Sequence, residues 1–147
     1  MKVNIVFPVL DEERRLEKGI HTTEAFLAKR RDIDAVITIV DNGSTDRTPD
    51  IIKELADVYS NIEYITLGER GFGLAFREAA KRNRCDIIGY VDVDLSTDIH
   101  YLSKVMKAFE KYDDISVIKG NRLSGKSKVN GRKPLRNITS IGLDPVS

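Results

Sequence analysis

The chain has 147 residues, 41% apolar and 32% charged, so length and composition fit one folded domain with its own core. Its 24 basic and 23 acidic side chains leave a formal net charge of +1, which gives no global argument for nucleic-acid binding. No apolar run reaches the ~20 residues of a membrane-spanning helix, and the first one is too short for a signal peptide. Because Cys85 is the single cysteine, no internal disulfide can form and a reducing cytoplasmic location is expected.

Short apolar runs alternate with helical patterns along the first 120 residues. The runs predict five strands, over residues 3–9, 35–40, 62–67, 86–91 and 115–119. Apolar side chains at helical spacing predict four helices. Three of them span residues 12–30, 74–82 and 98–111. The other begins with an N-cap at Thr48 and has Pro49 in its first turn. The alternation predicts an α/β fold with a mostly parallel sheet flanked by helices. Ligands of such sheets bind at the carboxyl ends of the strands.

Asp92 and Asp94 follow the predicted fourth strand directly. Two carboxylates at such close spacing repel each other unless a cation lies between them. Mg²⁺ or Mn²⁺ suits carboxylate oxygens and would also bind a diphosphate. The alternative interpretation, which an isolated Asp-x-Asp favours, is a pair of solvated strand-end residues or helix caps.

Two further polar turns follow predicted strands. In residues 41–46, Asp41 or Asn42 could hydrogen-bond a nucleobase or ribose, although a plain turn with a helix cap explains the segment equally well. Gly71 and the glycine two residues later lack the third glycine of a dinucleotide fingerprint and do not follow the first strand, so that interpretation is rejected. Arg70 beside them is assigned to the predicted nucleotide site, with a solvated surface arginine as the alternative.

The stretch from residue 119 to residue 136 contains no acidic residue and seven basic ones: Lys119, Arg122, Lys126, Lys128, Arg132, Lys133 and Arg136. Frequent glycine and serine predict a mobile basic loop over residues 120–136. Arg122 can hold phosphate oxygens with two parallel hydrogen bonds. A solvated basic face is the alternative.

Taken together, these segments resemble glycosyltransferase family 2. Five motifs carry the resemblance in order and spacing, at residues 8–13, 40–46, 71–75, 92–95 and 120–122. It runs from Val3 to about Gly142 and is strongest for the dolichyl- or polyprenyl-phosphate sugar synthases, which have a second arginine at a distance similar to that of Arg136. The resemblance implies the GT-A fold with its Rossmann-like sheet, a UDP- or GDP-hexose donor, Mg²⁺ or Mn²⁺, and inversion at the anomeric carbon.

The resemblance also implies roles for individual residues. Those implied at the nucleotide are Pro8, Leu10, Glu12, Asp41, Asn42 and Asp92. Asp92 and Asp94 would hold the metal on the diphosphate. Asp94, Arg122 and Arg136 would form the catalytic group, with the two arginines on phosphates of the donor or the acceptor.

Three positions depart from the family pattern. Asp11 stands where the family usually has Asn, Asn42 where a second Asp is common, and Ser96 where some lipid-phosphate mannosyltransferases have Gln. The family's domains also commonly continue well past the length of this chain. The expectation is therefore a single domain over residues 1–147 that is short at its C-terminus, without the catalytic Asp of members that use hydroxyl acceptors.

The predicted function is hexose transfer to a polyprenyl (dolichyl) phosphate. An ionised phosphate can attack without a protein base, and the basic loop suits an anionic acceptor and peripheral contact with an anionic membrane face. No nucleic-acid partner is expected. Two alternatives remain open: a nucleotide-sugar-binding module without transfer activity, and a family 2 transferase acting on a sugar hydroxyl.

Overall fold

The computed structural model describes residues 2–68, 71–94, 99–111, 117–120, 129–132 and 138–141. The strands in these residues are β1 (Lys2–Val9), β2 (Asp34–Asp41), β3 (Ile62–Thr66), β4 (Ile87–Val91), β5 (Val117–Gly120), β6 (Val129–Arg132) and β7 (Ile138–Ile141). The helices are α1 (Leu16–Ala28), α2 (Thr48–Val58), α3 (Phe72–Arg82) and α4 (Tyr101–Lys111). All nine predicted elements are present, with ends that differ by a few residues. Among these helices, none combines the length and apolar character needed to cross a bilayer.

The strands form one sheet in the order β3-β2-β1-β4-β7-β5-β6. Every neighbouring pair is parallel except β5 and β6, which are antiparallel. The central strand β1 pairs with both β2 and β4. Because these three strands are parallel, their carboxyl ends meet at one edge of the sheet. The predicted mostly parallel α/β architecture is confirmed.

Both faces of the sheet are covered, because side chains alternate between the two faces along a strand. Ile5 and Phe7 of β1 belong to the core cluster that contains residues of α1, α2 and α4. Val6, between them, belongs to the smaller cluster with Ala75 and Ala79 of α3. Burial on both faces explains why the strands read as continuous apolar runs.

Strands β6 and β7 were not predicted. β7 lies between β4 and β5 and is parallel to both, while β6 pairs antiparallel with β5 inside the predicted basic loop. The loop prediction is therefore wrong for residues 129–132. Only one of the four residues of β6 is apolar, so its sequence has no alternation of apolar and polar residues that would predict a strand. Its backbone pairs with that of β5. Arg122 and Arg136 lie outside the described residues.

Helix α1 begins at Leu16, four residues later than predicted, and the N–H groups at the predicted start bond to side chains of residues 46 and 48. The N–H of Glu12 donates to Thr48 Oγ1 at 2.9 Å, and the N–H of Glu13 donates to Asp46 Oδ2 at 3.3 Å. The first of these bonds also explains a second correction. Thr48 is not the N-cap of α2, since Arg47 occupies that position without a side-chain cap.

Candidate functional site

A cleft of about 550 Å³ opens where β1, β2 and β4 end. Its described lining residues are Pro8, Val9, Leu10, Glu12, Asn42, Gly71, Asp92, Val93 and Asp94. The structure thus brings together Pro8, Leu10, Glu12, Asn42, Asp92 and Asp94 from the predicted site. Arg70, like Arg122 and Arg136, lies outside the described residues, so its predicted contact stays a prediction.

One wall of the cleft is built from two loops, residues 10–15 after β1 and residues 42–47 after β2, which we call the loop pair. Asp11, at φ 50°, joins them. Its Oδ1 accepts the N–H of Thr45 at 2.8 Å, and its own N–H donates to Ser44 Oγ at 2.9 Å. Asp11, which stands where the family usually has Asn, therefore uses its carboxylate to accept a backbone hydrogen bond.

Asp46 makes a second set of bonds within the loop pair. Its Oδ1 accepts the N–H of Thr48 at 2.8 Å, and its Oδ2 accepts the N–H of Glu13. Burial by itself would raise the pKa of Asp46, but the hydrogen bonds to the carboxylate, led by those of Thr48, outweigh it and lower this pKa. Ionised Asp46 therefore stabilises the loop pair.

Asp41 and Asn42, which end β2 and open the second loop, differ in where their side chains lie. Asp41 is 2% exposed, and its Oδ1 accepts the N–H of Ser44 at 2.9 Å. Asp41 thus closes the turn, and the described lining of the cleft does not include it. Asn42 does line the cleft and is 4% exposed. Within the described residues, its buried Oδ1 has no hydrogen-bond partner. A buried acceptor without a partner lowers stability by about 1–3 kcal/mol unless a ligand donates a hydrogen bond to it.

The opposite wall is the end of β4, residues 92–94, which helix α1 holds by close packing. A Cβ on Gly19 would lie 2.2 Å from the carbonyl oxygen of Val93 and 2.9 Å from its Cγ2. Glycine at this position is therefore what lets α1 approach the strand end. Val93 is buried in the core, and the carboxylates on either side of it line the cleft.

Arg15 links the two walls. Its Nε and Nη2 donate to the two carboxylate oxygens of Glu12 at 2.8 and 2.9 Å, and its Nη1 lies 3.9 Å from Asp94 Oδ2. Sequence reasoning missed Arg15, because a cation just before a helix is usually solvated. The available signal was the acid three residues earlier, at the spacing of a helical ion pair.

The residues at the end of β4 fit a divalent cation. Asp92 and Asp94 provide hard oxygen ligands on the cleft wall. The guanidinium of Arg15 lies 3.9 Å from Asp94, so a positive group is already placed next to this carboxylate. In the described part of the chain, no three His, Cys, Asp or Glu side chains form a metal-binding group. Two carboxylates completed by diphosphate and water match the way Mg²⁺ is usually held. Burial, reinforced by the charge of Asp92, raises the pKa of Tyr90, which therefore stays a neutral phenol beside the site.

Comparison with known sequences agrees with this architecture. The model of the family described as Glycosyl transferase family 2 matches residues 4–144. Dolichyl-phosphate beta-glucosyltransferase ALG5D of Trichomonas vaginalis is 31% identical over 151 residues, which cover 96% of this chain and 46% of the relative. Undecaprenyl-phosphate 4-deoxy-4-formamido-L-arabinose transferase of Pseudomonas fluorescens is 29% identical over 123 residues, covering 82% and 36%. The chain therefore spans less than half the length of these curated relatives.

Solved structures share the fold. The mannosyltransferase PcManGT from Pyrobaculum calidifontis, in complex with GDP-Man and Mn²⁺, superposes with a TM-score of 0.68 at 21% identity, covering 82% of this chain and 36% of that one. S. aureus TarS 1-349, in complex with UDP-GlcNAc, gives 0.64 at 19% identity, covering 86% and 36%. The predicted GT-A fold is confirmed. With the family match over almost its whole length, this chain belongs to glycosyl transferase family 2.

Proposed function

We propose that this domain binds a nucleoside-diphosphate hexose in the cleft and transfers the hexose, with inversion, to a polyprenyl phosphate. One observation carries the proposal. A single cleft of about 550 Å³ combines a buried amide oxygen that lacks a partner among the described residues with two carboxylates at the end of a neighbouring strand. The amide oxygen suits an N–H or O–H group of a nucleobase or sugar, which would donate a hydrogen bond to it. The two carboxylates suit a cation that also binds a diphosphate.

The nucleoside would lie against the loop pair. Pro8 and Leu10 offer apolar surface to a flat ring, and Asn42 Oδ1 would accept a ring N–H. Uracil and guanine both carry such an N–H, so a UDP- and a GDP-hexose satisfy this contact equally. Support for such donors comes from the structural neighbours solved with GDP-Man and with UDP-GlcNAc. Arg70 is proposed to contact the same nucleotide.

The diphosphate would extend towards the end of β4, where Asp92 and Asp94 would hold Mg²⁺ or Mn²⁺. When bound, that cation supplies electrostatic stabilisation of the departing nucleoside diphosphate. Arg122 and Arg136 are proposed to add charge-assisted hydrogen bonds to donor or acceptor phosphates. The neighbour solved with Mn²⁺ supports the metal.

A lipid phosphate is the acceptor that best suits these residues. It is ionised near neutral pH, so its oxygen can attack the anomeric carbon without a protein base. The relatives named dolichyl-phosphate and undecaprenyl-phosphate transferases support this acceptor class. We propose a cytoplasmic domain in peripheral contact with an anionic membrane face, where each basic residue of segment 120–136 adds on the order of 1 kcal/mol.

The proposal is tested by a thermal-shift panel of nucleoside diphosphates and nucleotide sugars, each with and without Mn²⁺. Ligand at 100 times its Kd stabilises the native state by about 2.7 kcal/mol, so the matching base should raise Tm, and more so with Mn²⁺. The matching donor is then incubated with a polyprenyl phosphate and with a soluble sugar acceptor. Absence of any nucleotide-dependent shift would overturn the donor proposal. Binding without transfer would indicate a nucleotide-sugar-binding module, and transfer to the sugar alone a hydroxyl-acceptor enzyme.

A further inference from the structure

The Arg15 guanidinium touches two carboxylates of the cleft, and it touches them unequally. Towards Glu12 it makes two nearly parallel hydrogen bonds of 2.8 and 2.9 Å, the geometry of a strong bidentate pair. Towards Asp94 it makes a single contact of 3.9 Å, at the outer limit of an ion pair. Arg15 can therefore leave Asp94 while it stays anchored on Glu12.

The position of Arg15 is not explained by its helix. Arg15 is the N-cap residue of α1 and makes no side-chain cap there, although Ser, Thr, Asp or Asn are the residues that stabilise this position. A cation at this end also opposes the helix dipole. Arg15 is therefore unfavourable for the start of the helix. Its contacts with Glu12 and Asp94 compensate for that cost. Such a conflict is expected at functional sites.

We propose that Arg15 is a resident counter-ion of Asp94 that competes with the divalent cation for this carboxylate, so that the cation binds well only together with a diphosphate. The inference rests on the proposed metal site. In the absence of ligand, Arg15 offsets part of the charge of Asp94 and limits its repulsion with Asp92. When a divalent cation binds Asp94, it repels the positively charged guanidinium of Arg15. Arg15 then moves away from Asp94 and stays hydrogen-bonded to Glu12. Arg15 is then a positioning residue, and Glu12 acts through it.

The chain offers matched variants for a test. Arg15→Gln removes the competing charge, and Arg15→Lys keeps a charge while losing the planar fork. Arg14→Gln removes one positive charge from the neighbouring residue and leaves the hydrogen bonds between Arg15 and Glu12 intact. Both arginine side chains are exposed, Arg15 by 58%, so the three variants are expected to fold, which thermal unfolding checks.

The readout is the affinity for Mn²⁺, measured by water-proton relaxation first with Mn²⁺ alone and then with a saturating nucleoside diphosphate. Arg15→Gln should bind Mn²⁺ alone roughly 1.5-fold to fivefold more tightly than wild type, the size expected for removing one exposed ion pair. Arg15→Lys should stay close to wild type, and Arg14→Gln should change affinity less than Arg15→Gln.

Equal or weaker binding of Mn²⁺ alone by Arg15→Gln, compared with Arg14→Gln, would overturn the inference while leaving the metal site in place. A wild-type chain that binds no Mn²⁺ even with the matching nucleoside diphosphate would overturn the proposed metal site and the inference with it. The two failures are therefore distinguishable by the wild-type titration.

Discussion

The loop pair and the end of β4 lie at the same edge of the sheet and are both acidic, yet they use their carboxylates differently. In the loop pair, Asp11 and Asp46 accept backbone N–H groups from the neighbouring loop. At the end of β4, Asp94 is 42% exposed on the cleft wall and lies 3.9 Å from Nη1 of Arg15. The comparison shows that the two loop aspartates are structural because they accept backbone N–H groups, whereas Asp94 faces the cleft next to the positively charged Arg15.

The two regions should therefore respond differently to ligands. The loop pair is held in shape by its own hydrogen bonds, so it presents Leu10 and Asn42 without help from a cation. The end of β4 brings two negative charges to one place, and their repulsion is relieved best when a cation binds. Substitutions of Asp11 and Asp46 in the loop pair should change stability, and substitutions of the aspartates at the end of β4 should change metal-dependent binding.

The largest effect is expected for Asp94→Ala. Without this carboxylate, the affinity for the matching nucleoside diphosphate in Mn²⁺ should fall to the metal-free value, a loss of roughly 100-fold or about 2.7 kcal/mol. Titration calorimetry measures it. Asp46→Ala is the control from the loop pair and should lower Tm while keeping the metal dependence. Unchanged affinity in Asp94→Ala would remove the functional distinction between the two regions.

Gly19→Ala tests whether packing of α1 positions the end of β4. The added methyl group would lie 2.2 Å from the carbonyl oxygen of Val93, and such overpacking costs about 1–3 kcal/mol. We expect net destabilisation in urea together with weaker Mn²⁺-dependent binding. Gly73→Ala in α3 is the matched control, since its methyl group meets no described atom within 4 Å. It should be neutral or stabilise by up to about 1 kcal/mol. Equal stability of the two variants would contradict the packing argument.

Asp11→Ala and Asp11→Asn separate charge from hydrogen bonding in the loop pair. Alanine removes the acceptor of the Thr45 N–H and should cost about 1–2 kcal/mol in urea unfolding. Asparagine keeps an acceptor oxygen and tolerates the positive φ, so it should stay near wild type. Neither variant should change the metal dependence of nucleotide binding. If both lose the same stability, the negative charge of Asp11 matters rather than its hydrogen bonds.

Glu24 on α1 lies outside both regions and shows the cost of a half-buried carboxylate with one oxygen that lacks a donor in the described part of the chain. Its Oε1 is buried without a hydrogen-bond partner among the described residues. Burial raises the pKa of Glu24 above its ordinary 4.5, although the Asn61 hydrogen bond and the charge of His21 oppose the shift.

Because the folded pKa of Glu24 is raised, the native state binds more protons than the unfolded one, and stability falls as pH rises through this pKa. Glu24→Gln should therefore be more stable than wild type at pH 7, by less than about 1 kcal/mol. The gain should disappear below pH 4, where both states are protonated. Thermal unfolding at both pH values measures it, and a variant less stable at pH 7 would show that the ionised form is satisfied.

Long apolar runs made much of the fold predictable. β1, β2 and β4 are recognisable because burial on both faces of the sheet demands consecutive apolar residues. The edge strand β3 buries only Ile62 and Ile65 and is recognisable by its β-branched and aromatic residues. β6 and β7 lack a long apolar run, so they are fixed by their partner strands rather than by a pattern of their own. The insertion of β7 between β4 and β5 follows from tertiary pairing, which no local signal encodes.

The site was predictable at the level of the sheet edge and less so for individual acids. Asp11 and Asp94 both follow a buried strand, and their sequence surroundings do not tell them apart. The N–H that makes Asp11 structural belongs to Thr45, 34 positions away. The contact that identifies Arg15 is equally non-local, because Asp94 reaches it only after α1 packs against the end of β4.

The most direct test of the account is a crystal structure of the chain with Mn²⁺ and the nucleoside diphosphate that the thermal-shift panel selects. We predict an anomalous-scattering peak at ligand distance, about 2.1 Å, from carboxylate oxygens of Asp92 and Asp94, with Arg15 moved off Asp94 and still bonded to Glu12. A peak remote from both aspartates, or a diphosphate bound in the cleft with no cation beside them, would contradict the account.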